Sequence, residues 1–130
     1  MKKTFIYLIL TLTITQGLLA QTSFQGFVDS GNQNLKNRNF KDAVNDFSKA
    51  LKEQPNDTAA IGGMIKACLL SDELKDAQKH IDNAIKKFPD NAEFLFRRGI
   101  LDNKRGQFNK ASEDFTQALS MNSSNTLKVQ

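Results

Sequence analysis

Residues 40–55 read FKDAVNDFSKALKEQP, residues 74–89 read LKDAQKHIDNAIKKFP and residues 108–123 read FNKASEDFTQALSMNS. They are one pattern met three times at a step of 34 residues, and a fixed period of this size is the mark of a stacked-repeat architecture. Ala43 steps to Ala77 and Ala111, and Ala50 to Ala84 and Ala118. Phe47 steps to Ile81 and Phe115, Leu51 to Ile85 and Leu119, and Phe40 to Leu74 and Phe108. Working outward, Phe27 lands on Ile61 and Leu95, Gly31 on Ile65 and Gly99, and Pro55 on Pro89 and then Ser123. No gap is needed at any point.

The spacing inside each unit predicts two helices. Ala43, Phe47, Ala50 and Leu51 share one helical face, as do Phe27, Gly31 and Leu35 in the segment before them. Polar breaks separate the two: Asn37-Arg38-Asn39, Ser71-Asp72-Glu73 and Arg105-Gly106-Gln107. Pro55-Asn56-Asp57 and Pro89-Asp90-Asn91 stop the second helix and offer Asp57 and Asn91 as N-caps for the next. No segment of the repeats alternates with period two, so strands are not expected. The small Ala positions let helices approach closely, and Phe40 and Phe47 are expected to fill the space beside them. A helix pair this short cannot bury its own apolar face, so neighbouring units must stack.

The chain of 130 residues holds a single Cys, Cys68, and a single His, His80. A disulfide scaffold and a Cys- or His-cluster zinc site are thereby excluded. Cys68 falls at a helix-packing position and reads as a small buried hydrophobe, the alternative being a reactive thiol. The N-terminus begins Met1-Lys2-Lys3, runs apolar from Phe5 to Ile14 and reaches Gly17-Leu18-Leu19-Ala20. That is the grammar of an export leader over residues 1–20, cut after Ala20, with a retained membrane anchor as the alternative. Export predicts a periplasmic or secreted protein. There are 18 Lys plus Arg against 14 Asp plus Glu, a net charge of +4, half of which belongs to Lys2 and Lys3 of the leader. This weak excess gives no reason to expect nucleic acid as a partner.

A 34-residue helix–turn–helix with these Gly, Phe, Ala and Pro positions resembles the tetratricopeptide repeat. The three units are residues 24–57, 58–91 and 92–125, followed by a tail at 126–130. Unit two departs from the pattern, with Ile65 where Gly is usual and Gly62-Gly63 inside its first helix. Each glycine costs about 1 kcal/mol relative to Ala, which marks that helix as the weakest element. The aromatic common at the eleventh position is replaced by Asn34, Cys68 and Asp102.

The resemblance implies an all-α fold, a right-handed superhelix or α-solenoid of three units whose concave groove is lined by the first helices. On that pattern unit one contributes Asn32, Leu35 and Lys36, and unit two Lys66 and Leu69. Unit three contributes Phe96, Arg97, Ile100, Asn103 and Lys104. An apolar strip of Leu35, Leu69, Phe96 and Ile100 would then lie beside lysines, suited to a peptide with acidic groups. The carboxylate clamp of some relatives would fall on Val28, Asn32, Gly63, Glu93 and Arg97; only Asn32 and Arg97 have the required type, so recognition of that kind is not expected. Leu35 and Leu69 packing between units is the alternative to a groove.

His80, four residues after Asp76, reads as an exposed helical pair with no nucleophile beside it. Asp42/Asp46 and Glu113/Asp114 read as solvated surface. No catalytic residue, metal ligand or cofactor site is therefore expected, and the chain is not expected to be an enzyme. Residues 126–130 are too few for a capping helix, so Phe115, Leu119 and Met121 are expected to form an uncapped apolar edge, covered by a partner or by a second copy. The function expected is a non-catalytic adaptor or assembly module of a bacterial cell envelope, holding a protein or peptide in the groove. A carbohydrate- or substrate-binding accessory on the same scaffold is the alternative, with Phe96 its one well-placed aromatic.

Overall fold

The computed structural model describes residues 23–127, so the leader expected over residues 1–20 lies outside the described residues. Every regular element among them is a helix. The helix α1 is seen over residues 23–36. It is followed by α2 (Phe40–Glu53), α3 (Thr58–Leu70), α4 (Leu74–Lys87), α5 (Ala92–Lys104) and α6 (Phe108–Leu127). This is the all-helical repeat solenoid expected from the sequence. None of the described helices is long and apolar enough to cross a membrane.

The turns obey the 34-residue step as closely as the helices do. Arg38, Asp72 and Gly106 each adopt positive φ, at 64°, 64° and 75°. The next amide bonds back five residues: Asn39 to the Asn34 carbonyl, Glu73 to Cys68 and Gln107 to Asp102, at 2.8–2.9 Å. This is the left-handed helix ending that caps orphan carbonyls, and only unit three uses the residue that adopts it without strain. The side chains of Asp57 and Asn91 accept from the amides of Ala60 and Glu93, capping α3 and α5 as expected. The second helix ends differently in unit three. α2 and α4 each stop two residues before their proline, Pro55 and Pro89. With Ser123 at the matching position α6 runs on for 20 residues to Leu127, through the expected end of the unit and into the tail.

The core has no single centre. Phe24, Ala43, Phe47 and Ala50 of unit one enclose Ala60, Met64 and Ala67 of α3. Ile61, Ile65, Cys68 and Leu69 on the other sides of α3 meet Ile81 of α4 and Phe94 and Leu101 of α5. A third, smaller cluster joins Ala92 and Leu95 to Ala118. The alanines of the repeat are nearly or wholly buried in all three units, as close helix approach requires.

The helix α3 is the one buried on most sides, and its glycines have separate packing reasons. A Cβ at Gly63 would stand 2.4 Å from the Phe47 ring, which is itself only 1% exposed. Gly31 on α1 contacts the same ring from the other unit-one helix, so Phe47 sits between two glycines. Unit three repeats the Gly-against-Phe pairing as Gly99 and Phe115, while unit two trades both partners for Ile65 and Ile81. The departure at Ile65 is thus compensated in volume. Phe40 is half-buried beside Leu70 and Ser71 of the next unit, but its counterpart Phe108 is 66% exposed, having no such neighbour among the described residues.

Candidate functional site

The first helices α3 and α5 touch each other, whereas α4 and α6 do not, so the first helices line the inner side of the stack. On that inner side the sequence-predicted groove is only partly assembled. Asn32, Lys36, Lys66, Asn103 and Lys104 are exposed on their helices as expected. Leu69 is not: it is 3% exposed and belongs to the core beside Ile65 and Cys68, α3 being apolar on nearly every side apart from Lys66. Leu35 and Ile100 are half-buried and pack against the two main clusters. The expected apolar strip therefore shrinks to Phe96, which is 49% exposed.

Charge on the inner side is partly committed. Arg97 donates from Nε to Glu93 Oε1 at 3.0 Å and from Nη2 to the same oxygen. The pair lies over Gly62, where a Cβ would approach Glu93 Oε1 to 3.1 Å, so the missing side chain makes room for it. The one basic residue that matched a carboxylate clamp is thus held by an acid one turn before it. Lys104 pairs with Asp72 across the unit boundary at 3.2 Å. Lys36 and Lys66 have no ion pair among the described residues.

The predicted edge residues prove to be continuous with Phe96. The rings of Phe96 and Phe115 pack with centroids 5.3 Å apart. Together with Phe88, Ala118 and the 71%-exposed Leu119 they line an open cavity of about 940 Å³ between α5 and α6. Lys87, Asp90 and Glu93 stand among its lining residues. Met121 departs from the expected edge: it is half-buried against the Ala92–Leu95–Ala118 cluster. What sequence reasoning treated as two sites, a groove holding Phe96 and an edge holding Phe115 and Leu119, is one apolar face. The missed signal was the 19-residue separation of Phe96 and Phe115, which places them on adjacent antiparallel helices.

Of the two acidic pairs read as solvated surface, Asp42 and Glu113 are exposed as expected, but Asp46 and Asp114 are not. Asp114 is 5% exposed and accepts two hydrogen bonds at 2.7 Å from the Arg98 guanidinium. That contact raises the Arg98 pKa against the opposing effect of burial. Asp46, its counterpart in unit one, accepts from the Ser30 hydroxyl and from Asn34 Nδ2, at 2.5 and 3.0 Å. At the same place in unit two stands His80, half-buried rather than exposed, its pKa lowered chiefly by burial with Asp76 opposing. Cys68 is fully buried, and burial, helped by Glu73 and Asp76, pushes its thiol up to about 11. Such a thiol is not a nucleophile near neutral pH. Among the described residues no group of three or more His, Cys, Asp or Glu is placed to hold a metal ion.

Residues 34–95, from the end of α1 to the start of α5, match a family model described as tetratricopeptide repeat. The chain is also similar to sperm-associated antigen 1 of Homo sapiens, at 22% identity over 104 residues, which is 80% of this chain and 11% of that protein. The chain thus spans about a tenth of the length of this relative. The constant period, the paired helices with their left-handed turns, and the family model matched over residues 34–95 together identify the repeats of this chain as tetratricopeptide repeats.

Proposed function

We propose that this chain is an exported, non-catalytic module of a bacterial cell envelope that binds another protein through the apolar face of Phe96, Phe115 and Leu119. Tetratricopeptide repeats as a class mediate protein–protein contacts, which supports the general reading. The observation that carries the specific one is the exposure of large apolar side chains in unit three, with Leu119 at 71% and Phe96 at 49% around one cavity. Export rests on the leader grammar of residues 1–20.

Repeat geometry indicates what shape would fill the cavity. On unit one the equivalent place is filled by Ala60, Met64 and Ala67 of α3, and on unit two by Phe94 and Leu101 of α5. A helix with an apolar stripe at that spacing is the fitting occupant. The first helix of a second copy is a poor candidate, because its matching positions are Gly26, Ser30 and Gln33. Head-to-tail stacking of copies is therefore disfavoured, and a different protein is the better partner.

The test is affinity capture from an envelope fraction with the chain from Gln21 onward, beside the double variant Phe96→Ser, Leu119→Ser. Both residues are largely exposed, so the variant's stability should change little. The expected result is a protein retained by the parent and lost from the variant. Equal capture by both would remove the apolar face as the binding site. Sedimentation of the parent as a monomer at tens of micromolar would further separate a foreign partner from self-association.

A further inference from the structure

The two boundaries between units are built alike but closed differently. At the boundary of units two and three, Asp72 of the turn after α3 pairs with Lys104 at the end of α5, at 3.2 Å. The next residue, Arg105, donates to Gln78 Oε1 at 2.5 Å and to the Leu74 carbonyl at 3.1 Å. One repeat earlier, the places of Asp72, Lys104 and Arg105 are held by Arg38, Leu70 and Ser71. The Ser71 hydroxyl donates within its own helix, to the Cys68 carbonyl at 3.2 Å. Among the described residues no hydrogen bond or ion pair involves the Arg38 guanidinium. The boundary of units one and two is therefore left with an open notch of about 500 Å³, whose lining includes Arg38, Phe40, Lys41, Asp42 and Leu70.

Three observations set this notch apart from ordinary surface. Leu70 is 48% exposed and the half-buried Phe40 stands beside it, so the floor is apolar. Arg38 holds the left-handed conformation, at φ 64°, that glycine adopts without strain at the matching place in unit three. Asp72 in the same conformation meets Lys104 across its boundary, whereas the residue matching Lys104 here is Leu70, which carries no charge. The sign at the turn is also reversed, from Asp72 to Arg38. With Arg38 and Lys41 against the single Asp42, all three exposed, the rim is cationic.

We propose that this notch docks an extended segment of a partner protein in which a large apolar residue adjoins a carboxylate, as in Leu-Asp or Phe-Glu. The apolar side chain lies against Phe40 and Leu70, and the carboxylate takes the place that Asp72 and Lys104 fill for each other one repeat later. A guanidinium presents a planar fork of donors that matches a carboxylate at two points, and Lys41 adds charge beside it. The notch has about half the volume of the unit-three cavity, which suits one or two side chains rather than a whole helix. It shares no residue with the apolar face of unit three, and none with the inner-side positions on which a carboxylate clamp would fall.

The probe is acetyl-leucyl-aspartyl amide, titrated into the isotopically labelled chain and followed by amide chemical shifts. Acetyl-leucyl-asparaginyl amide and acetyl-alanyl-aspartyl amide, at equal ionic strength, are the controls for charge and for apolar contact. Saturable shifts confined to the amides around Arg38, Phe40 and Leu70 are expected, with each control binding at least tenfold more weakly. Arg38→Gly should weaken binding at least tenfold while melting at or above the parent temperature, because it relieves the left-handed turn. The double variant Arg38→Asp, Leu70→Lys, which rebuilds the ion pair of the second boundary, should also lose the probe and keep the fold. Phe96→Ser, Leu119→Ser should leave the shifts in place, so that this site and the apolar face fail separately. Absence of localised shifts up to 50 mM probe, equal binding of either control, or unchanged binding in Arg38→Gly would overturn the proposal. A lowered melting temperature for Arg38→Gly would overturn it too, since the arginine would then be serving the fold.

Discussion

Two adjacent glycines on α3 should respond to the same substitution with opposite signs. Alanine in a helix interior is favoured over glycine by about 1 kcal/mol, and this gain applies equally to Gly62 and Gly63. At Gly63 the new Cβ would lie 2.4, 2.5 and 2.9 Å from three atoms of the Phe47 ring. Carbon atoms settle at roughly 3.5–4.0 Å, so ring or helix must move by more than about 1 Å. The ring has nowhere to go, because it is 1% exposed and is backed by Gly31, where a Cβ would stand only 2.9 Å away. Overpacking of this kind costs roughly 1–3 kcal/mol, and after the propensity gain Gly63→Ala should lose up to about 2 kcal/mol net. At Gly62 the nearest atom is Glu93 Oε1 at 3.1 Å, the end of a flexible side chain that can withdraw. Gly62→Ala should gain roughly 0.5–1 kcal/mol. For a domain of about this size each kcal/mol moves Tm by roughly 4–8 °C, so the two variants should melt on opposite sides of the parent in circular dichroism at 222 nm. Gly63→Ala melting at or above the parent, with Gly62→Ala below it, would refute the packing account of Phe47.

Asp114→Ala removes both bonds to Arg98 and strands a half-buried guanidinium. Arg98 keeps about a third of its side chain in water, so the loss should be about 2 kcal/mol rather than the larger cost of a fully buried pair, and a melt within error of the parent would contradict it. The lowered pKa of His80 means that the unfolded chain takes up its proton at higher pH than the folded chain does. Its contribution to stability is therefore complete above the ordinary value of 6.5 and is lost as pH falls below it. His80→Gln should flatten the decline in Tm between pH 7.5 and 5.5, and an unchanged slope would exclude His80 as its source. Cys68, with its thiol raised to about 11, should react with a disulfide reagent at pH 8 no faster than the chain unfolds; rapid labelling of the native protein would mean that the thiol is reachable.

What the sequence made legible was whatever recurs. The helix spans, the turns and the buried alanines all obey the 34-residue step, and each was visible three times over. The positive-φ turn residue announced itself only as Gly106, since Arg38 and Asp72 occupy the same conformation without the residue that signals it. The run-on of α6 was written in Ser123, a breaker missing at the place where Pro55 and Pro89 act. Leu69 was misplaced because helical periodicity identifies a core face only when the opposite face is polar, and on α3 Lys66 is the one charged residue. Asp46 and Asp114 were misplaced for the converse reason. Each lies among polar residues on its own helix, but its partner is a Ser or Arg 16 residues earlier on the neighbouring helix, a relation invisible to periodicity within one element.

Those last positions carry the argument about function further. The residues that fix the solenoid, such as the alanines of the second helices, are the same in all three units and so cannot distinguish one unit's surface from another's. The set joining the first helix to the second does change: Ser30, Asn34 and Asp46 become Met64, Cys68 and His80, then Arg98, Asp102 and Asp114. Stability alone needs only a satisfied set, and unit one provides it with two neutral donors to one carboxylate. Unit three instead keeps a second carboxylate buried, and it is also the unit that exposes Phe96, Phe108 and Leu119. Both features fall on the same unit, and Leu70 of unit two, 48% exposed, is the one large apolar side chain left in water elsewhere among the described residues. Under the proposed function, substitutions on the apolar face of unit three should separate binding from folding most cleanly.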